Sequence, residues 1–175
     1  KVTLVAGPVG LATPRGVTRI DVKSAQNMFE AVMAHVHTAT VLVAAAAVAD
    51  WRVAKPSEQK IKKDASGQTP QLSFEENADI LATVAMLPQA QTGRLYCVGF
   101  AAESHNLLEN AEAKRLRKKI PLLVGNIGPD TFGKDHNALL LVDEGGTRQL
   151  PHASKLALAR QLVGEMASRV AVLNP

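Results

Sequence analysis

The sequence predicts an α/β fold: a mostly parallel sheet with helices on both faces and a β-hairpin at its carboxyl end. Three observations carry that expectation. Apolar, β-branched runs alternate with segments of helical periodicity, the order that feeds parallel strands. Runs such as "TVLVAAAA" and "RLYCVGF" are apolar almost throughout, as strands covered on two faces are. The last two runs, "NALLLVD" and "TRQLP", are separated only by Glu144, Gly145 and Gly146, a hairpin signal.

In order along the chain, "KVTLVAG" reads as a buried strand stopped by glycine, and "GPVGLATPRG" as loop because glycine and proline punctuate it. "VTRIDV" alternates as a strand. Ser24 is placed to cap a helix to about Thr38, along which Met28, Val32 and Val36 recur at helical spacing. "TVLVAAAA" is the next strand. Trp51 to Thr69 shows no periodicity and carries Pro56 and Gly67, and a long loop in a compact fold is usually functional. A short strand over Gln71 to Phe74 precedes a helix that starts at Asn77 or Asp79 and runs through Leu87. Then come the strand "RLYCVGF", a charged helix over Glu109 to Lys119, the strand "PLLVGN", an irregular "GPDTFGKDH" and the hairpin. Ser154 caps a last helix to about Val170. Neither repeats nor a linker interrupt this order, so residues 1–175 read as a single domain.

Composition narrows the function classes. The chain of 175 residues has a net charge of +4 and is 46% hydrophobic and 21% charged, the balance of an ordinary globular protein. The positive charge suits an anionic partner without choosing one. Aromatic residues are only 3% of the chain, too few for the stacking platforms of a single-strand nucleic-acid binder. The longest apolar stretch, Val41 to Ala49, is too short for a membrane span. Cys97 is the one cysteine; it makes no internal disulfide and suits a reducing, cytoplasmic setting. Set mid-strand, it reads as an inert buried thiol.

Ligands of parallel α/β sheets gather beyond the carboxyl ends of the strands. There, the small side chains of Ala44 to Ala47 let a ligand reach the backbone; equally, they make room for a crossing helix. Asp50 can accept hydrogen bonds from a ligand or serve as a turn residue. Lys60, Lys62 and Lys63 follow on the long loop. A lysine run is commonly a solvated face, but in extended chain Lys60 and Lys62 share one side while Ile61 can anchor the other. The result would be a cationic flap, hinged at Gly67, over an anion-binding crevice. No phosphate-loop motif, no G-x-G-x-x-G, no H-E-x-x-H and no G-x-S-x-G occurs.

Taken together, "AAAAVADWR…KIKK", "NADIL", "VGFAAES", "KRLRKK", "GNIGPDTFGKDHNALLLVD" and "SKLALARQLVGEM" resemble the bacterial phosphopantothenoylcysteine synthetases, the phosphopantothenate–cysteine ligases of coenzyme A synthesis. The likeness runs from about Val2 to Val170. It implies a Rossmann-like fold and a homodimer that uses CTP and Mg2+ to join 4'-phosphopantothenate to L-cysteine through an acyl-cytidylate. By position, Ala46, Ala47 and Asp50 would contact phosphopantothenate. Lys60 and Lys63 would serve CTP and acyl-cytidylate formation, with Lys60 catalytic, and Phe100 would lie beside the cytosine with Asn126 and Phe132 lining the same crevice.

The family's domain opens with an earlier strand, a glycine-rich turn and a substrate-contacting asparagine and arginine, and this sequence begins after them. The strand at Val2 would then be the family's second, and the chain is expected to bind CTP weakly and turn over poorly by itself. A flavin-containing phosphopantothenoylcysteine decarboxylase is often fused ahead of this ligase, and FMN would enter only with it. Two other readings stay open: a non-catalytic basic module for RNA or an acidic surface, and a flavin- or nicotinamide-dependent reductase on a similar fold.

Overall fold

The computed structural model describes residues 1–57, 59–62, 69–103, 106–127 and 133–173. In chain order the elements begin with β1 (Val2–Ala6), β2 (Val17–Asp21), α1 (Ala25–Val36), β3 (Val41–Ala44), β4 (Trp51–Val53), β5 (Phe74–Glu76), α2 (Ile80–Ala85) and α3 (Pro88–Gln91). They continue with β6 (Tyr96–Glu103), α4 (Leu107–Lys118), β7 (Leu122–Ile127), β8 (His136–Asp143), β9 (Gly146–Ser154) and α5 (Lys155–Leu173). None of the described helices is long and apolar enough to cross a membrane. The chain groups into two compact units, Lys1–Ala31 with Ala47–Asp79, and Val32–Ala46 with Ile80–Pro175.

In the first unit β1 and β2 pair in parallel, Val2 opposite Val17. Arg19 on β2 holds the intervening loop: its guanidinium donates to the carbonyls of Leu11 (2.5 Å) and Val9 (3.1 Å) and to Asp21 Oδ1 (2.7 Å). The apolar pattern of β1 anticipates burial, yet Val2 is 57% exposed. Its only partner among the described residues is β2. Ser24 caps α1 as expected, its Oγ accepting the Asn27 N–H at 3.1 Å. The segment from Trp51 to Thr69, read as structureless, opens instead with β4, which pairs antiparallel with β5. That pairing carries the short strand past Phe74 to Glu76 and delays the next helix to Ile80.

The second unit is built on a five-stranded sheet in the order β3–β6–β7–β8–β9. Pairing is parallel from β3 through β7, where helices connect the strands, and antiparallel through the terminal hairpin. Strand alternation divides the core in two. Cys97, Ala101, Leu123 and Val142 pack with Val36, Leu81, Val84, Ala111 and Ile120 on the side covered by α2 and α4. Tyr96, Val98, Leu122, Val124, Leu139 and Leu141 pack with Leu158 and Leu162 of α5 on the other. Helices therefore cover both faces, as the sequence predicts. Among the described residues β3 pairs only with β6 in this sheet, and Val43 is 41% exposed despite its apolar run.

Gly99 is where β6 meets its cover most closely. A Cβ there would lie 2.7 Å from Leu81 Cδ2 and 2.8 Å from Ile120 Cδ1, both side chains being buried. Gly99→Ala is expected to cost about 1–3 kcal/mol by overpacking, read as a lower urea midpoint with an unchanged slope.

Burial pushes the Cys97 thiol up to about 11 and the Tyr96 phenol up to about 12, the latter against the opposing charge of Arg169. Arg169 itself is held by two bonds to Asp143 Oδ2 (2.7 and 3.0 Å) and one to Glu165 Oε2 (2.8 Å). Both proton-binding groups sit above their ordinary values, so between pH 9 and 12 the folded state holds more protons than the unfolded one. Stability is then complete below pH 9 and falls as pH rises, by on the order of 2 kcal/mol per group. Denaturant titrations at pH 8 and pH 11 should show the loss, and Cys97→Ala should flatten its lower part.

Candidate functional site

In the first unit the residues after β3 are shaped by one side chain that sequence reasoning took only for a helix start. Asn77 donates its backbone N–H to the Asp50 carbonyl (2.8 Å) and its side-chain amide to the Ala49 carbonyl (2.8 Å). Its Oδ1 accepts from Arg52 Nη1 at 3.1 Å, and Arg52 also donates to the Glu76 carbonyl (3.0 Å) and to Glu75 Oε1 (2.9 Å). Asp50 and the alanine loop are thereby tied to the strand pair β4–β5.

Against this loop lies a cleft of about 410 Å³, lined by Ala47, Val48, Ala49, Trp51, Arg52 and Asn77 on one side. Gly7, Pro8 and the stretch from Val22 to Gln26 at the start of α1 line the other, with Met28. The size fits a small metabolite, and a mostly apolar lining with a few placed polar groups is usual for such sites. Ala47 lines the cleft directly, while Asp50 lies one residue beyond its alanine floor. Lys60 and Lys62 are exposed. Ile61 is 55% exposed, so it is not the buried anchor of the lysine segment that the alternation suggested. Lys63 and the hinge position Gly67 lie outside the described residues.

In the second unit the parallel register aligns the carboxyl ends of β3, β6 and β7. Ala44 pairs with Gly99, Phe100 with Val124 and Ala102 with Asn126. Ala46 continues β3 beyond this line and is exposed. Phe100 packs beside Val98 and Val124 on the α5 side, and alternation puts Asn126 on that same face two residues past Val124. Phe100 and Asn126 thus share one face at one end of the sheet. Phe132 lies outside the described residues. Gly125 keeps β7 close to its covering helix, since a Cβ would sit 2.9 Å from Leu107 Cδ1.

Sequence reasoning missed Arg52 and the capturing role of Asn77. The signals were present, as "DWR" and "NADIL", but their pairing depends on the strand pair β4–β5. Among the described residues no three His, Cys, Asp or Glu side chains gather to hold a metal ion. Cys97 is 1% exposed and is no candidate nucleophile.

A sheet with parallel strands and helices on both faces places the chain in the class of open α/β folds, whose ligands gather beyond the carboxyl ends of the strands. Within it, the chain matches the DNA/pantothenate metabolism flavoprotein C-terminal domain family over residues 1–170 and belongs to that family. It is 41% identical over 170 residues to the coenzyme A biosynthesis bifunctional protein CoaBC of Haemophilus influenzae, covering 96% of this chain and 41% of that protein. To the CoaBC protein of Escherichia coli K12 it is 42% identical over 172 residues, covering 96% of this chain and 42% of that protein. The chain thus spans about two fifths of these relatives. The crystal structure of the C-terminal domain of a CoaBC protein superposes with a TM-score of 0.76 at 29% identity, over 97% of this chain and 74% of that one. The Rossmann-like arrangement that the resemblance implies is the one this fold shows.

Proposed function

We propose that the chain supplies the phosphopantothenate–cysteine ligase activity of coenzyme A synthesis. The observation that carries this reading is the identity of 41–42% to CoaBC proteins over nearly the whole chain, and the alanine-floored cleft supports it. In the proposed reaction the carboxylate of 4'-phosphopantothenate attacks the α-phosphorus of CTP. Pyrophosphate leaves and an acyl-cytidylate forms; the cysteine amine then attacks the acyl carbon and CMP departs with the bonding pair.

Two anions must be held together, and without cations they repel. Lys60 and Lys63 are assigned to that task, Ala46, Ala47 and Asp50 to phosphopantothenate, and Phe100, Asn126 and Phe132 to the nucleotide. Mg2+ would be held mainly through the nucleotide phosphates, as is usual for this ion. A homodimer in the cytoplasm completes the reading, with FMN only in a fused decarboxylase.

The test is release of CMP and pyrophosphate by the full-length protein. The expected result is release that requires phosphopantothenate and is fastest with CTP, with cysteine driving CMP formation. Release indifferent to phosphopantothenate, or none at all from folded protein, would overturn the assignment.

A further inference from the structure

We propose that Arg52 is a positioning residue for the cleft, acting through the Asn77 amide on the alanine loop; this rests on the ligase reading. Arginine has only donors, so the Asn77 atom that faces Arg52 Nη1 at 3.1 Å must be the oxygen. That leaves the amide nitrogen for the Ala49 carbonyl, an acceptor, at 2.8 Å. The orientation of Asn77 is therefore dictated from both ends, and Arg52 supplies one of them.

Arg52 is itself fixed from two further directions. Its position opposite Glu75 in the β4–β5 register brings Nε to Glu75 Oε1 at 2.9 Å. The same Nη1 that holds Asn77 also donates to the Glu76 carbonyl, at 3.0 Å. The planar fork can meet a carboxylate, a carbonyl and an amide oxygen at once, which a lysine ammonium on its flexible stem does less well.

The consequence is mechanical. Asn77 draws the carbonyls of Ala49 and Asp50 to itself, and this sets the backbone path of the loop whose residues Ala47 to Ala49 line the cleft. A ligand bound through backbone groups depends on that path to within a fraction of an ångström. The pair Arg52–Glu75 is half exposed, at 43% and 47%, so it contributes little to global stability. Its value lies in placement.

The experiment compares Arg52→Met and Arg52→Lys with the wild-type full-length protein by steady-state kinetics, melting temperature and amide hydrogen exchange. For Arg52→Met the expected result is exchange of the Asn77 backbone amide, which is bonded to the Asp50 carbonyl, faster by at least tenfold. KM for phosphopantothenate should rise at least tenfold with a smaller change in kcat, and the melting temperature should hold within about 2 °C. Arg52→Lys should recover part of both. Asn77→Asp, which turns an oxygen toward the Ala49 carbonyl, should speed exchange of that same backbone amide. Unchanged exchange of the Asn77 amide in Arg52→Met would overturn the proposal, as would faster exchange with KM unmoved, or loss of activity in step with loss of fold. A wild-type protein without ligase turnover would instead overturn the reading of function, whatever the exchange data show.

Discussion

Lys60→Gln is expected to lower the rate of acyl-cytidylate formation by about a hundredfold to a thousandfold while leaving the fold intact, the loss typical when one preorganised stabiliser of developing charge is removed. Two features of Lys60 and its reaction set this outcome. Lys60 is exposed, so its removal strips no packing and should shift the melting temperature by about 1 °C or less. Pyrophosphate expulsion in the proposed reaction, in contrast, builds negative charge that a positioned ammonium would offset. Glutamine keeps the length and hydrogen-bonding ability but loses the charge. The measurement is single-turnover pyrophosphate release with CTP and phosphopantothenate, set beside a thermal melt. Equal proportional losses of activity and melting temperature would make Lys60 a structural residue and remove it from the proposed chemistry.

The candidate residues of the two units differ in how they are held within their own unit. Phe100 and Asn126 sit on β6 and β7, where ladder hydrogen bonds and a packed face fix them. The alanine loop has no ladder of its own, and its carbonyls are held by Asn77 and, through it, by Arg52. The strand residues should therefore tolerate conservative change beside them, while the loop should respond to single hydrogen bonds at a distance.

That difference also explains what could be read from the sequence. The central strands were legible because burial on two faces writes a continuous apolar run; "RLYCVGF" and "PLLVGN" became β6 and β7 with little change at their starts. The hairpin was legible because a short stretch with two glycines separates the two runs; the structure tightens the turn to Glu144 and Gly145, with Asp143 opposite Gly146. Local caps at Ser24 and Ser154 followed from side-chain chemistry alone, Ser154 Oγ accepting the Ala157 N–H at 3.2 Å. β4 was not legible. Trp51, Arg52 and Val53 form a strand only because Glu76, Glu75 and Phe74 come back to them, and no local pattern announces a pairing across twenty residues of polar chain. The same non-local pairing carries the Arg52–Asn77 contact, so the lining of the cleft was only partly visible. The exposure of Val2 and Ile61 was misjudged for a related reason: apolar character says what a side chain would gain from cover, not whether a covering element is present.

Leu123→Ala should be the most destabilising of the substitutions considered, at about 2–5 kcal/mol. Leu123 is 0% exposed at the middle of β7, opposite Gly99 on one side and Val142 on the other. Its side chain points to the face that α4 and α2 cover, where Ile120, Leu81 and Ala111 are also buried. Cutting it back to a methyl removes about three buried carbons and leaves a hole next to a residue without a side chain. Gly99 has nothing to move into the space, and the neighbouring backbone is locked in the ladder between β6 and β8, so relaxation is limited and the cost falls toward the upper part of the range. A urea titration of the variant should show a lower midpoint with the slope retained. Leu116→Ala on α4 is the matched comparison, since Leu116 is 58% exposed and should change stability by only about 0.5 kcal/mol. If the two substitutions cost the same, Leu123 is not enclosed as its burial requires, and the division of the sheet into two helix-covered faces, on which the placement of Phe100 and Asn126 depends, is wrong.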